Sequence, residues 1–313
     1  MKSEKMRATH SRFPLGNEMA FAFRCTSLFA IFGLTGCHAV VLDPRGAIGR
    51  GDSTILIDSL AIMLAIVIPT VAAVLLFAWR YRSSNANARY LPNFEYSGQV
   101  EMIIWSVPLL TIMLLGGVIW LGSHELDPAA PLPTAEAPLN VEVVSLDWKW
   151  LFIYPEQRVA SVNKLVIPVG RPVHFSLTSA TVMTAFFIPQ LGSMIYTMNR
   201  MATQLNLNAD EPGIYLGEAS HFSGDGFSGM HFEVEAMPAD RFSAWIDATR
   251  NASGPTLTSQ SYQALEKQSM DVAPFLYRDS EPGIFERIVT QALPPGPGPG
   301  AETSLNLSEH EEK

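Results

Sequence analysis

The stretch Met102-Ile-Ile-Trp-Ser-Val-Pro-Leu-Leu-Thr-Ile-Met-Leu-Leu-Gly-Gly-Val-Ile-Trp-Leu121 runs for 20 residues without a formal charge. About 20 apolar residues cross the hydrocarbon core of a bilayer as an α-helix, whereas a core helix of a soluble protein seldom stays apolar all round. A second run of the same kind, Leu60 to Trp79, lies upstream, led by Ile55–Ile57 and Asp58. Pro69 and Pro108 do not argue against helices, because membrane helices tolerate proline. Trp79, Tyr81, Trp105 and Trp120 fall near the ends, where amphipathic rings favour the headgroup layer. The chain is therefore expected to place a two-helix transmembrane hairpin at residues 55–79 and 102–122. Two buried helices of a large soluble core are the alternative.

The flanks orient the hairpin. The connecting segment 80–101 carries Arg80, Arg82 and Arg89, while no Lys or Arg follows the second span until Lys149. The positive-inside rule then puts the short loop in the cytoplasm and both ends outside, although Arg45 and Arg50 weigh on the other side. A third apolar stretch, Cys25 to Leu42, follows Arg24 and is either another span or a signal segment. Leu34-Thr35-Gly36-Cys37 resembles the lipobox of bacterial lipoprotein signal peptides, which makes 1–36 a removable signal and Cys37 the lipidated (palmitate-bearing) residue. The basic lead before it is long for such a signal, so Met19 is an alternative start. Residues 37–54 are then an N-terminal periplasmic segment.

Composition agrees with a membrane component: 48% of the 313 residues are hydrophobic and only 16% charged, against about 25% in soluble domains. Residues 1–123 hold 10 Lys and Arg against 7 Asp and Glu; residues 124–313 hold 11 against 23. An acidic outer part excludes nucleic acid as the default partner. The only cysteines are Cys25 and Cys37, so the outer part contains no disulfide framework.

Beyond the proline-rich linker 123–138 the pattern changes to short alternating runs. Val173, Phe175 and Leu177 alternate with polar residues, as do Met230, Phe232, Val234 and Ala236. Leu139–Tyr154 and Leu165–Val169 read as further strands, with Gly170 and Pro212-Gly213 as turn signals. This spacing predicts a β-sandwich or barrel over 139–247. From Pro238 a helical period follows in Phe242, Trp245 and Ile246, and further helices are expected at Ser261–Met270 and Pro282–Leu293, forming a helical extension over 248–293. Pro294 to Gly300 ends the ordered part, and the tail 294–313 reads as disordered.

Read singly, the motifs are weak. In Trp148-Lys-Trp-Leu-Phe-Ile-Tyr154-Pro155 one tryptophan is expected to pack in the core while its neighbours cover the rim. Phe186-Phe-Ile-Pro-Gln-Leu-Gly192 is a strand-to-turn pattern with no chemistry of its own. Gly217–Met230 is a ligand loop or a long hairpin turn. His174 and His231 sit between apolar residues on strands and are expected on the polar face. Glu101 reads as an interfacial charge at the start of the second span, and Asp58 as another.

Together these motifs, with Ser179, Glu211-Pro-Gly-Ile-Tyr215 and Gly229-Met230, occur in the order found in subunit II of the heme–copper respiratory oxidases, which the chain resembles over about residues 55–247. The resemblance implies a membrane protein with an extracytoplasmic cupredoxin-like β-sandwich and C-terminal helices. In the cytochrome c oxidase branch the sandwich holds a dinuclear copper centre built on two thiolates, two imidazoles and a thioether. The corresponding positions here are Thr184 and Phe227 for the histidines, Ala219 and Ser223 for the cysteines, His221 for the glutamate between them, and Met230. Only Met230 is retained, and a thioether alone does not hold copper. A blue-copper site fails for the same lack of cysteine, so no metal is expected in this chain.

Without that centre the chain resembles the copper-free quinol oxidase branch of the cytochrome bo type. Asp147-Trp-Lys-Trp150, Phe222-Ser-Gly-Asp-Gly-Phe-Ser-Gly-Met230 and the helices after Phe242 are close to that branch's versions. The resemblance implies a respiratory-chain, proton-pumping oxidoreductase of the bacterial inner membrane, with ubiquinol as donor and oxygen reduced to water. Heme b, heme o and copper would lie in subunit I, and no catalytic residue in this chain. Partners would be subunits I, III and IV, membrane lipid and, through the complex, ubiquinol, with no cytochrome c. Glu101 matches the glutamate at the mouth of a proton channel leading into subunit I. A membrane-anchored binding module without enzymatic role is the competing expectation.

Overall fold

A computed structural model of the chain describes residues 40–89, 93–134 and 136–296. Cys25, Cys37 and the tail from residue 297 lie outside the described residues. A 3-10 turn at Val40–Leu42 leads into helix α1, Ala47–Arg80, and a short loop connects it to helix α2, Gly98–Glu125. Both are long and apolar enough to cross a membrane. Pro69 and Pro108 lie inside them without ending either helix. At about 1.5 Å per residue, the 34 residues of α1 reach about 50 Å, well beyond a core of about 30 Å.

The surplus turns of α1 are at its outer end, where the sequence shows Gly, Arg, Asp and Ser rather than apolar residues, and where the apolar run places no span. They are helical because they dock. Arg45 N donates to Gln190 O (2.7 Å), Gly49 N to Leu191 O (2.9 Å), and Ala47 N to Asn208 Oδ1 (3.0 Å). Ser193 Oγ donates to Asp52 Oδ2 (2.8 Å), and Arg45 and Arg50 pair with Glu211 and Asp210. A Cβ on Gly46 would stand 2.4 Å from Asn208 O and 2.7 Å from Leu191 O, both backbone atoms, so only glycine allows this approach. The exit from α2 is tied as well: Asn206 N donates to Pro128 O (2.9 Å), and its side-chain amide to Ala129 O (3.1 Å). Between the helices, the bare surface of Gly122 receives Ile55 and that of Gly51 receives Leu126.

The outer part is a sandwich. One sheet has six strands in the order β12-β3-β2-β1-β5-β8: Phe275–Tyr277, Val159–Val162, Lys149–Tyr154, Leu139–Leu146, Val173–Ser179 and Thr203–Leu207. The other has five, β4-β10-β9-β6-β7: Lys164–Pro168, His231–Met237, Gly213–Ala219, Thr184–Phe187 and Ile195–Thr197. β1 runs parallel to β5 and β10 parallel to β4; the remaining pairs of these two sheets are antiparallel. Between the sheets lie Trp150, Phe152, Phe175, Phe186 and Phe232, all buried. Phe186 stacks on Phe232 at 5.2 Å, and Trp150 meets Phe186 edge-on at 5.4 Å. The alternating residues of β5 and β10 point into this layer.

The C-terminal stretch departs from the helical extension expected. Helix α3, Ala239–Asn251, is followed by β11 (Thr256–Leu257), helix α4 (Ser259–Leu265), β12, β13 (Asp279–Ser280) and helix α5 (Ile284–Val289). The expected helices shorten, and Phe275–Tyr277 instead pairs with β3 and extends the larger sheet. Two- and three-residue strands carry too few residues to show a period of two, so pairing with an existing edge, not local pattern, makes them strands. The outer face of β1, β2 and β3 (Val144, Leu151, Ile153, Ala160, Val162) packs against Leu257, Tyr262, Tyr277, Ile284 and Phe285. β2 is thus covered on both faces, which is why Lys149–Tyr154 is buried throughout and reads as an unbroken apolar run.

One carboxylate lies under this cover. Burial, with Glu286 of α5 nearby, pushes the Glu142 carboxyl up to about 7 from 4.5. The folded chain then holds this proton more tightly than the unfolded one, so the stabilisation is complete below about 4.5 and lost as pH rises through 7. Glu142→Gln is expected to raise the melting temperature relative to the parent at pH 8 more than at pH 4. A difference that does not change with pH would count against this.

Candidate functional site

Trp148 closes the β1–β2 hairpin with φ +64°, a left-handed backbone that a bulky residue seldom adopts and that packing must compensate. Its indole lies on Gly226, where a Cβ would stand 2.4 Å from the ring, and its Nε1 donates to Ser223 O (3.2 Å). The expectation that one tryptophan packs while its neighbours cover the rim is therefore corrected: Trp150 fills the core, and Trp148 is buried too, against the glycine-rich loop. Burial on both faces of β2 leaves no rim there.

Lys149 is 1% exposed. Its Nζ donates to Lys267 O and Ser269 Oγ, each at 2.7 Å, and this links β2 to the segment after α4. Burial lowers its pKa to about 8, against the attraction of Asp147. Asp147 accepts from Thr181 Oγ1 at 2.5 Å through one oxygen, while its other oxygen is buried without a partner. These residues tie the β1–β2 turn to Thr181 and to the segment after α4.

The loop itself, between β9 and β10, gathers most of the positions at which the copper-binding relatives carry donors. Thr184 Oγ1 donates to His221 O (2.9 Å), Ser223 Oγ donates to Met230 Sδ (3.8 Å), and Ala219 N donates to Met230 O (3.0 Å). Phe227 packs against the core and edge-on to Phe222 at 5.6 Å. His221 faces Tyr196 edge-on at 5.6 Å. The assembled side-chain donors are thus two hydroxyls, one thioether and the single imidazole of His221, which is turned to Tyr196, where a dinuclear copper centre needs two bridging thiolates and two imidazoles. A soft, multiply bridged metal pair does not fit this set. Among the described residues no group of three or more His, Cys, Asp or Glu side chains could hold a metal ion.

His174 is half-buried on β5 with its Nδ1 2.9 Å from Asn206 Oδ1, and His231 is exposed on β10. Glu101 stands in the first turn of α2, exposed, its N–H donating to Ser97 O (3.0 Å). The docking turn Ile188–Gly192, credited with no chemistry from sequence, is the seat of α1. Its Gln190 and Leu191 carbonyls accept from Arg45 N and Gly49 N, and Gly46 and Gly49 lack the Cβ that would block so close an approach.

Residues 140–237 match the family model for the periplasmic domain of cytochrome c oxidase subunit II, and residues 251–296 match the COX aromatic-rich motif. The chain is 48% identical over 276 residues to ubiquinol oxidase subunit 2 of Acetobacter aceti, covering 87% of this chain and 89% of that one. It is 40% identical over 291 residues to cytochrome bo(3) ubiquinol oxidase subunit 2 of Pseudomonas aeruginosa, covering 93% and 88%. A quinol oxidase subunit 2 of Bacillus cereus is 34% identical over 237 residues, covering 75% and 81%.

Proposed function

The chain belongs to the ubiquinol oxidase subunit 2 family, and we propose that it serves as the redox-inactive second subunit of a proton-pumping ubiquinol oxidase in the bacterial inner membrane. The observation that carries this is the cupredoxin loop. Its fold is that of the subunit II periplasmic domain, but Thr184, Ala219, Ser223 and Phe227 stand where the copper-binding branch carries imidazoles and thiolates. A subunit without that centre has no relay for electrons arriving from a soluble carrier, so electrons enter from quinol in the membrane.

Heme b, heme o and copper in subunit I supply the oxidation of ubiquinol and the reduction of oxygen to water; this chain's residues position and protonate. Its helices pack on subunit I, with subunits III and IV completing the complex. The 80–101 loop lies in the cytoplasm and the sandwich in the periplasm. Because α1 and the linker that leaves α2 are both hydrogen-bonded to the sandwich, the cap is held at a fixed attitude over its partner. Glu101 accepts protons from the cytoplasm at the start of α2. Cys37 carries the lipid after removal of 1–36. Cys37→Ser is expected to abolish incorporation of labelled palmitate; equal labelling would refute the assignment.

The whole reading is tested by purification in mild detergent. Co-purification with a heme-containing polytopic subunit, and oxygen uptake driven by ubiquinol but not by reduced cytochrome c, are expected. A colourless lone chain would overturn it and favour a membrane-anchored binding module.

A further inference from the structure

The loop between α1 and α2 forms a cleft of about 670 Å³ at the end of the hairpin opposite the sandwich. Its apolar side is made by Phe77, Phe94 and Val100, and its polar side by Arg82, Arg89 and Asn85. Phe77 and Val100 are the last and first turns of the two apolar helices, so in a bilayer they sit where acyl chains meet the headgroups. Arg82 and Arg89 sit a few residues further out. The Arg82 guanidinium lies over the Trp79 ring at 5.5 Å, and its Nε donates to Ser84 Oγ (2.9 Å), so neither contact uses the two terminal nitrogens as donors. Asn85 Nδ2 donates to Arg80 O (2.6 Å) and holds the turn that carries both arginines.

Five arginines elsewhere in the described chain, Arg45, Arg50, Arg158, Arg250 and Arg287, pair with carboxylates, while Arg171, Arg200, Arg241 and Arg278 do not. Among the described residues, none of Arg80, Arg82 and Arg89 is in such a pair, and segment 80–100 contains one acidic residue, Glu95. Two guanidinium groups outside any ion pair, Arg82 and Arg89, beside an apolar floor at headgroup depth present a complement to a phosphate diester with hydrocarbon attached. Arginine binds phosphate oxygens through paired N–H donors, and basic pockets beside membrane helices on the cytoplasmic side favour anionic lipid. We propose that this cleft is a binding site for one anionic phospholipid of the cytoplasmic leaflet, its phosphate held by Arg82 and Arg89 and its glycerol and upper acyl chain resting on Phe77, Phe94 and Val100. The choice of lipid over free phosphate rests on that apolar floor, and the site rests on the proposed topology with the loop in the cytoplasm.

The test uses the detergent-purified oxidase complex, titrated with phosphatidylglycerol or phosphatidylcholine and read by native mass spectrometry. The parent complex is expected to bind one more phosphatidylglycerol than the R82Q/R89Q complex at low lipid concentration, with that step weakened about tenfold or more when both guanidinium groups are lost. R82K/R89K is expected to bind between the parent and R82Q/R89Q, since the charge remains but the paired N–H donors are lost. Heme content and quinol turnover of the double variant should equal the parent's, which shows that it is assembled. Identical phosphatidylglycerol binding in parent and R82Q/R89Q, or phosphatidylcholine binding the parent equally well, would overturn the proposal. So would displacement of the lipid by millimolar inorganic phosphate. A parent complex without heme or quinol turnover would instead refute the oxidase reading, while the lipid count still decides the site.

Discussion

Trp150→Ala is expected to lower the stability of the sandwich by about 3–5 kcal/mol, the range for removing a large aromatic side chain from a packed core. Trp150 is fully buried in the central part of the larger sheet, edge-on to Phe186 at 5.4 Å and beside Phe232 at 5.5 Å. Neither ring can move into the space, because Phe186 is stacked on Phe232 and both are held by β6 and β10. For a unit of this size about 2–4 °C of melting temperature goes with each kcal/mol, so calorimetry of the chain in detergent should record a fall of about 10 °C. Trp150→Phe separates the causes. The Trp150 Nε1 is buried with no partner, so phenylalanine gives up contact area but also a donor that folding strips of water. It should cost well under half as much. A melting temperature for Trp150→Ala within about 2 °C of the parent would show that the core closes over the gap, contrary to the packing argued here.

The same strand shows why parts of this fold could be read in advance and others could not. The two spans announce themselves because hydrocarbon tolerates only apolar side chains and internally bonded backbone, so the constraint is written into every residue. β5 and β10 alternate cleanly because one face meets the core and the other is more open. Lys149–Tyr154 does not alternate, since the C-terminal stretch covers its outer face, and no local pattern reveals a cover that arrives more than a hundred residues later. The cover is itself only partly helical. Ser259–Leu265 begins with a capping box at Thr258 and Ser261 and is a helix as expected, but Phe275–Tyr277 takes strand geometry from the edge of β3.

The site divides in a similar way. The absence of thiolates is a matter of residue identity and needs no coordinates, and together with the resemblance to subunit II it pointed to quinol as the electron donor. How the glycine-rich loop is held was not legible in this way. Trp148 could be given its role only when its strained φ, its contact with Gly226 and its bond to Ser223 O were seen together. Likewise, Ile188–Gly192 acts through its backbone carbonyls, which every residue has, so side-chain chemistry gave no sign that it seats α1.

Glu101→Ala is expected to slow quinol-driven oxygen uptake about 10- to 100-fold, short of or at the low end of what a positioned proton-transfer group supplies, because water can partly replace it. The structural alternative is specific. Glu101 lies in the first turn of α2, where a carboxylate faces the positive end of the helix and contributes about 0.3–1 kcal/mol to helix stability. On that account Glu101→Gln should do little harm to turnover in an assembled complex, Glu101→Asp should be no better than Gln, and any loss should track heme content. On the proton-uptake account the ionisable group is what matters. Glu101→Asp should retain a substantial part of the activity, Glu101→Gln should be as slow as alanine, and all three should carry the parent's heme. Proton uptake by vesicles, measured with a pH dye on the cytoplasmic side, should slow in step with turnover. The helix α2 carries no other carboxylate before Glu125, and in the loop from Tyr81 the only other one is Glu95, so no neighbour on the same turn can substitute. Turnover and proton uptake unchanged in a fully assembled Glu101→Ala complex would remove Glu101 from the proton path and leave it a helix-terminal charge.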